Sequence, residues 1–164
     1  MSFSSPPMRF LAIDLGDKRT GLAVADSITR IVSPLGVIEV SVTERDGQAL
    51  IDAINKAIAD QFSPHAAAAL VVGLPLNMDG TEGPRAKQVR AFIARLEAAL
   101  APKRPVHFQD ERLTSAAADW QMARSGKTHK EKKQLRDALA AAELLRDFLD
   151  ALNGRSSAPS SEAT

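Results

Sequence analysis

Three carboxylates sit where an unpaired charge is costly. Asp14 closes the mostly apolar run Arg9 to Asp14 (RFLAID), in the pattern Asp-x-Gly-x-x-x-x-Gly formed with Gly16 and Gly21. Beside Ala12 and Ile13, a buried carboxylate needs a partner or a metal. The plainer reading is a turn-initiating Asp that accepts hydrogen bonds from a hairpin backbone. Glu111 lies where a last short strand-like run gives out, in Asp110-Glu111-Arg112-Leu113-Thr114. Carboxyl ends of parallel strands are where α/β proteins place their sites. The competing reading is a surface cluster of Asp110, Glu111 and Arg112 with a helix cap. Strand alternation sends Asp110 and Glu111 to opposite faces, so only one can join Asp14; Glu111 is the choice and Asp110 the reserve. Asp137 falls within a helical pattern, on the face of Ala140, Ala141, Leu144 and Phe148. Arg136 or Lys133 could pair with it locally. The small Ala138, Ala140, Ala141 and Ala142 would instead let the helix lie close on a sheet and carry Asp137 over the strand ends.

Asp14, Glu111 and Asp137 together would suit a hard divalent cation, Mg2+ or Mn2+, which takes oxygen ligands and leaves positions for phosphate oxygens. Two such ions can clamp a phosphodiester, with no Ser, Cys or His nucleophile. Before Asp137 the chain carries Arg124, Lys127, Lys130, Lys132, Lys133 and Arg136 against the single acid Glu131. Taken alone this is a solvated helix start; leading into Asp137, Lys127, Lys130, Lys132, Lys133 and Arg136 could hold a nucleic-acid backbone. His65, His107 and His129 lack metal-ligand spacing and are read as non-catalytic. The loop from Gly73 to Gly83 precedes a helix and could meet an anion, but it has no Walker pattern. There is no tyrosine, and the aromatics are Trp120 and six Phe, so recognition is expected through backbone and shape rather than base stacking. Trp120 reads as core or a dimer contact.

The elements that must position these acids follow from periodicity. Arg9 to Asp14 and Thr20 to Ala25 flank Gly16-Asp17-Lys18, a hairpin. Ile31 to Val42 is β-like, and Pro34 with Gly36 predicts a bend or a start after Pro34. Ala49, Leu50, Ala53, Ile54, Ala57 and Ile58 repeat as a helix, with Thr43 and Asp46 as candidate caps. Ala67 to Leu74 is a strand buried on both faces. Ala86, Val89, Phe92, Ile93, Leu96 and Leu100 mark a second helix, and Pro105 to Gln109 a last strand. Thr114 and Ser115 are caps for a helix running to about Arg124, stopped by Gly126. A final helix covers about Lys130 to Leu152. This order gives the α/β class: a mixed five-stranded sheet, three antiparallel strands then two parallel ones, flanked by helices. Residues 1–8 are expected to be a flexible N-terminus, 9–152 one domain, and 153–164 a disordered tail.

Composition narrows the function classes. With 164 residues, 45% hydrophobic and 25% charged, one full core is expected. No cysteine is present, which excludes disulfides, thiolate metal sites and a Cys nucleophile. Apolar runs such as Ala66 to Gly73 are far shorter than the roughly 20 residues of a membrane helix, and Met1 to Pro7 lacks a signal pattern, so a cytoplasmic protein without membrane contact is expected. A net charge of +1 makes any nucleic-acid contact local.

The stretches LAIDLGDKRTGLAVAD (Leu11 to Asp26), VVGLPLNMDGTEGPRA (Val71 to Ala86), HFQDERLTSAAAD (His107 to Asp119) and RDALAAAELL (Arg136 to Leu145) resemble the YqgF family, also called RuvX. They span about residues 9 to 150, and GLPLNMDGTEG is highly specific. The resemblance implies an RNase H-like fold, a divalent metal, and a catalytic acid triad that maps onto Asp14, Glu111 and Asp137. It also implies a nuclease for the 5′ end of pre-16S rRNA, with ribosomal particles as further partners and branched DNA of the Holliday-junction type as the older substrate. Two departures stand out: Thr128, Glu131 and Gln134 interrupt the basic stretch, and Glu143 replaces a usual apolar residue. A phosphotransferase of the actin and hexokinase type also starts with a strand, Asp-x-Gly and a hairpin, but needs two lobes to enclose ATP. A non-catalytic RNA- or ribosome-associated module is the remaining alternative, and monomer and homodimer are both open.

Overall fold

The computed structural model describes residues 7–112, 126 and 128–156. Strands β1 (Arg9–Leu15), β2 (Thr20–Asp26) and β3 (Val32–Ile38) form an antiparallel meander. A single 3-10 turn (Glu44–Gly47) leads into helix α1 (Gln48–Gln61). Strand β4 (Ala68–Leu74), helix α2 (Pro84–Ala99), strand β5 (Val106–Asp110) and helix α3 (His129–Ser156) complete the order. The sheet runs β3-β2-β1-β4-β5, with β4 parallel to both β1 and β5. This is the α/β class with the mixed five-stranded sheet expected from the sequence.

Alternation divides the sheet between two cores. Leu11, Ile13, Leu70 and Val72 point to the face covered by α1 and α2, where Leu50, Ile54, Val89 and Ile93 meet them. Phe10, Ala12, Ala23, Ala69 and Val71 point to the opposite face, covered by α3 through Ala141, Leu144, Leu145 and Phe148. Strand β4 is buried along its whole length, as its unbroken apolar run requires. Alanines lie on both sides of this contact, Ala12, Ala23, Ala25 and Ala69 on the sheet and Ala141 and Ala142 on the helix. At Gly21 even a methyl group is excluded: a Cβ there would overlap the backbone carbonyl of Asp137. Helix α3 therefore rests directly on β2.

Several local expectations change. Strand β3 starts at Val32, before Pro34; a bulge puts Leu35 between the pairs Leu22↔Gly36 and Ala23↔Pro34. An edge strand tolerates proline because its missing N–H has no partner to lose. Thr43 and Asp46 do not cap α1. Gly47 holds the N-cap in a left-handed conformation without a side-chain bond, and the Thr43 hydroxyl pairs with Ser41 instead. Met8, placed within a flexible N-terminus by the sequence, exchanges hydrogen bonds with Ser27 through its N–H and carbonyl. Helix α3 continues through Asn153 to Ser156, four residues into the expected tail. Helix propensity at Asn and Gly is weak rather than forbidding, and the preceding packed turns carry the helix on. The helix expected from Thr114 to Arg124, Trp120, and residues 157–164 of the expected tail lie outside the described residues.

The departures in the basic stretch have structural reasons. The Thr128 hydroxyl accepts from the Glu131 N–H while Glu131 accepts from the Thr128 N–H, a reciprocal capping box at the start of α3. Gln134 donates to Glu39 at 2.9 Å, tying α3 to the segment after β3. Glu143 pairs with Arg146 one helical turn on.

Gly21→Ala is expected to lower stability by about 1–3 kcal/mol, the usual cost of overpacking. Urea unfolding followed by circular dichroism checks this: the midpoint should fall with little change in slope, and an unchanged midpoint would show that α3 can lift without cost.

Candidate active site

Asp14 stands on the α3 face near the end of β1, opposite Gly21 on β2. One step beyond the last β1–β4 pair, Ile13↔Val72, it comes alongside Gly73. Glycine on either side leaves space that the Asp137 backbone and the Glu111 carboxylate occupy. Glu111 follows β5, and its N–H donates to the Leu74 carbonyl at 3.3 Å, so the strand's alternation extends one residue further. Its side chain therefore falls on the α3 face with His107 and Gln109. A Cβ at Gly73 would overlap a Glu111 carboxylate oxygen, which places that carboxylate against the β4 backbone. Asp14 and Glu111 lie within hydrogen-bonding reach of each other, and each acts on the other's ionisation.

Asp110 faces away and is bound to Arg112, which donates from Nε to its Oδ2 at 2.8 Å. The choice of Glu111 over Asp110 thus agrees with the register. Asp137 reaches the same region from α3, close enough for its charge to act on Asp14. One oxygen of its carboxylate is taken by a base. Arg19 Nε donates to Asp137 Oδ2 at 2.6 Å, with each side chain about 25% exposed. The partner of Asp137 is therefore neither Arg136 nor Lys133 but a residue 118 positions away in the β1–β2 turn. Among the described residues, no three His, Asp and Glu side chains are gathered closely enough to form a ready metal-ligand set.

Burial is the largest influence on both paired acids, and it raises both. Asp14 lies above its ordinary range, pushed up by burial and by the charge of Asp137, and pulled down by the bond from Glu111 and by Arg85. Glu111 is pushed up to about 7, by burial first and the Asp14 charge second. Arg85, near the start of α2, lowers both. It donates to the Leu15 carbonyl at 2.9 Å and pairs with Asp17, fixing the turn that follows Asp14. Two like charges pressed together in a partly dry site are what a divalent cation relieves, and the donors are all oxygen. In donor chemistry Asp14 and Glu111 suit such an ion once both are ionised, and Asp137, held by Arg19, stands beside them.

Two clefts meet at Lys133, and the second of them holds Asp137. One is lined by His129, Lys132, Lys133 and Arg136, the other by Gly16, Asp17, Lys18, Arg19, Lys133 and Asp137. Lys133 lines both and links the basic stretch to the acid. Lys130 points elsewhere, toward Glu39 at 4.0 Å. Lys127 lies outside the described residues. His107 packs its ring on Phe148, with centroids 5.2 Å apart. Arg19 and Arg85 were not singled out from the sequence, although both lie within the stretches quoted above; charge and spacing alone do not distinguish them from solvated bases.

This arrangement defines a small α/β protein of RNase H-like architecture, with acids collected at the end of the sheet where β1, β4 and β5 terminate. RuvC of Thermus thermophilus, solved in complex with a Holliday junction substrate, shares the fold with a TM-score of 0.52 at 19% identity, over 90% of this chain and 96% of that one. A family model described as RuvX, Holliday junction resolvase, matches residues 8–151. A protein of Anaeromyxobacter dehalogenans is 44% identical over 143 residues, 87% of this chain and 97% of its own length. One from Methylocella silvestris is 37% identical over 147 residues, 90% of this chain and 85% of its own. Both carry the provisional designation pre-16S rRNA nuclease. The chain belongs to the RuvX family, also called YqgF.

The raised acids give a pH signature without metal. An acid whose folded pKa exceeds its unfolded value binds more protons when folded, so stability is lost as pH rises from the unfolded value of 4.5 to the folded value of about 7. The melting temperature in EDTA is expected to fall between pH 5 and pH 7.5. Glu111→Gln should flatten that fall and melt higher than wild type at pH 7.5; equal slopes in the two proteins would contradict the buried pair.

Proposed function

We propose that this protein is a divalent-metal-dependent nuclease that hydrolyses phosphodiester bonds in maturing the 5′ end of pre-16S rRNA, using Mg2+ or Mn2+ in the cytoplasm. The observation that carries this reading is the buried Asp14–Glu111 pair at the strand ends, with Asp137 beside it and a basic cleft leading to it. Asp14, Glu111 and Asp137 would hold the metal. When bound, such an ion supplies Lewis-acid polarisation of a phosphate oxygen and lowers the pKa of a nearby water.

The protein's own groups supply position and charge. Gly21 and Gly73 admit the helix and the Glu111 carboxylate to the ground beside Asp14. Arg85 anchors the β1–β2 turn and favours ionisation of both paired acids. Lys132, Lys133 and Arg136 line the cleft where a sugar–phosphate backbone would lie, and Lys127, outside the described residues, is proposed to bind the same backbone. The designation of the two relatives favours the rRNA precursor as substrate. The description of the matching family favours branched DNA as the second reading.

A labelled RNA copying the 5′ leader of a 16S precursor, and a four-way DNA junction, should be incubated with the protein in Mn2+, Mg2+ or EDTA. Cleavage of the RNA is expected only with metal, and Asp14→Asn and Asp137→Asn should bind it without cutting. Preferential cutting of the junction would favour the second reading. No cutting under any metal, or equal cutting by the variants, would leave a non-catalytic binding module as the better account.

A further inference from the structure

The contact between Arg19 and Asp137 places a cation on an acid assigned to metal. Its Nε–Oδ2 distance of 2.6 Å is that of a strong charge-assisted hydrogen bond, and the partial burial of both side chains shields it from salt. The guanidinium is carried on a turn that the fold holds firmly. The Gly16 N–H donates to the Arg19 carbonyl, the Val42 N–H to the Asp17 carbonyl, and Arg85 to the Leu15 carbonyl. Asp137 is held with equal firmness, because its backbone carbonyl sits against Gly21. With both backbones fixed, the side chains are what can part.

We propose that Arg19 is a positioning residue that guards Asp137: a divalent ion gains this carboxylate only by displacing the guanidinium, which then takes a substrate phosphate. The cleft that contains both residues also contains Lys18, Lys133 and Asp17, and Asp17 is already paired with Arg85, so the released charge has cations around it and an anion as its natural partner. Arginine can make the exchange because its planar fork matches carboxylate and phosphate alike. The consequence is linkage: metal strengthens nucleic-acid binding, and nucleic acid strengthens metal binding by the same factor. This inference rests on the metal-site reading above.

The test measures Mn2+ binding to the full chain by electron paramagnetic resonance of the free ion, in wild type, Arg19→Gln, Asp14→Asn and Asp137→Asn. Losing a competing cation should tighten Mn2+ binding by Arg19→Gln roughly fivefold, the scale of one partly exposed ion pair. A merely structural brace would, on removal, weaken metal binding or leave it alone. In the wild-type protein, the Arg19 Nε–H resonance should shift on titration with Mg2+, a readout that does not depend on any variant folding well. Anisotropy of the labelled leader RNA, checked for integrity on a gel, should tighten on adding Mg2+ for wild type and much less for Arg19→Gln.

Unchanged or weaker Mn2+ affinity in Arg19→Gln, or an unmoved Nε–H signal, would overturn the guard role while the metal site stands, provided Asp14→Asn and Asp137→Asn weaken binding. If those two bind Mn2+ like wild type, the metal-site reading fails and this inference fails with it. An RNA response to Mg2+ that is the same in wild type and Arg19→Gln would overturn the phosphate half.

Discussion

The carbonyl of Asp137 occupies the place where a side chain on Gly21 would begin, and the geometry of the acid site follows from that contact. Helix α3 can come so near because the facing surfaces are small: Ala12, Ala23, Ala25 and Ala69 on the sheet, Ala138, Ala141 and Ala142 on the helix. Larger residues, Phe10, Leu145 and Phe148, fill the space farther along, where Phe10 and Phe148 meet edge to face at 5.4 Å. The helix thus lies close at the acid end. Apolar burial supplies the driving force, and the absence of a Cβ at one position decides how far it acts.

That close approach concentrates negative charge. Asp14 and Glu111 are held together over Gly73, and Asp137 adds a third charge from above, so the site is unfavourable when fully ionised and empty of cations. Two arginines offset it from outside: Arg85 from α2, acting on the pair, and Arg19 from the β1–β2 turn, bound to Asp137. Neither side chain is itself metal-binding. They set the charge of the site in advance, which makes the β1–β2 turn as much a part of it as the strand ends. Such a site stores unfavourable electrostatics that the two cores must outweigh, and their separation onto opposite faces of the sheet supplies that independently.

Much of this was legible in the order of residues. Short apolar runs bounded by turn formers located the five strands, and recurrence at three to four residues located the three helices described, because each kind of element buries its apolar face with its own geometry. Alternation alone set Asp110 and Glu111 on opposite faces, and the extended β5 ladder placed Glu111 with Asp14. Local chemistry was read less well at α1, where glycine in a left-handed conformation replaced the expected Thr43 and Asp46 caps; at β3 the irregularity expected from Pro34 and Gly36 is a bulge within the strand and not a start after Pro34. These outcomes turn on backbone angles and neighbours that composition does not encode.

The sequence by itself determined the elements and which acids lie near the strand ends, since each of these depends on spacing within a short segment; the single core it led one to expect is divided by the sheet into two. Only the tertiary structure decided the pairing. Arg19 and Asp137 are separated by 118 positions, and nothing local makes one the partner of the other. The roles of Gly21 and Gly73 were equally hidden, because a missing side chain matters only when another backbone or carboxylate arrives to use the space. Contacts of this kind are set by how the layers pack, and packing is a property of the folded chain.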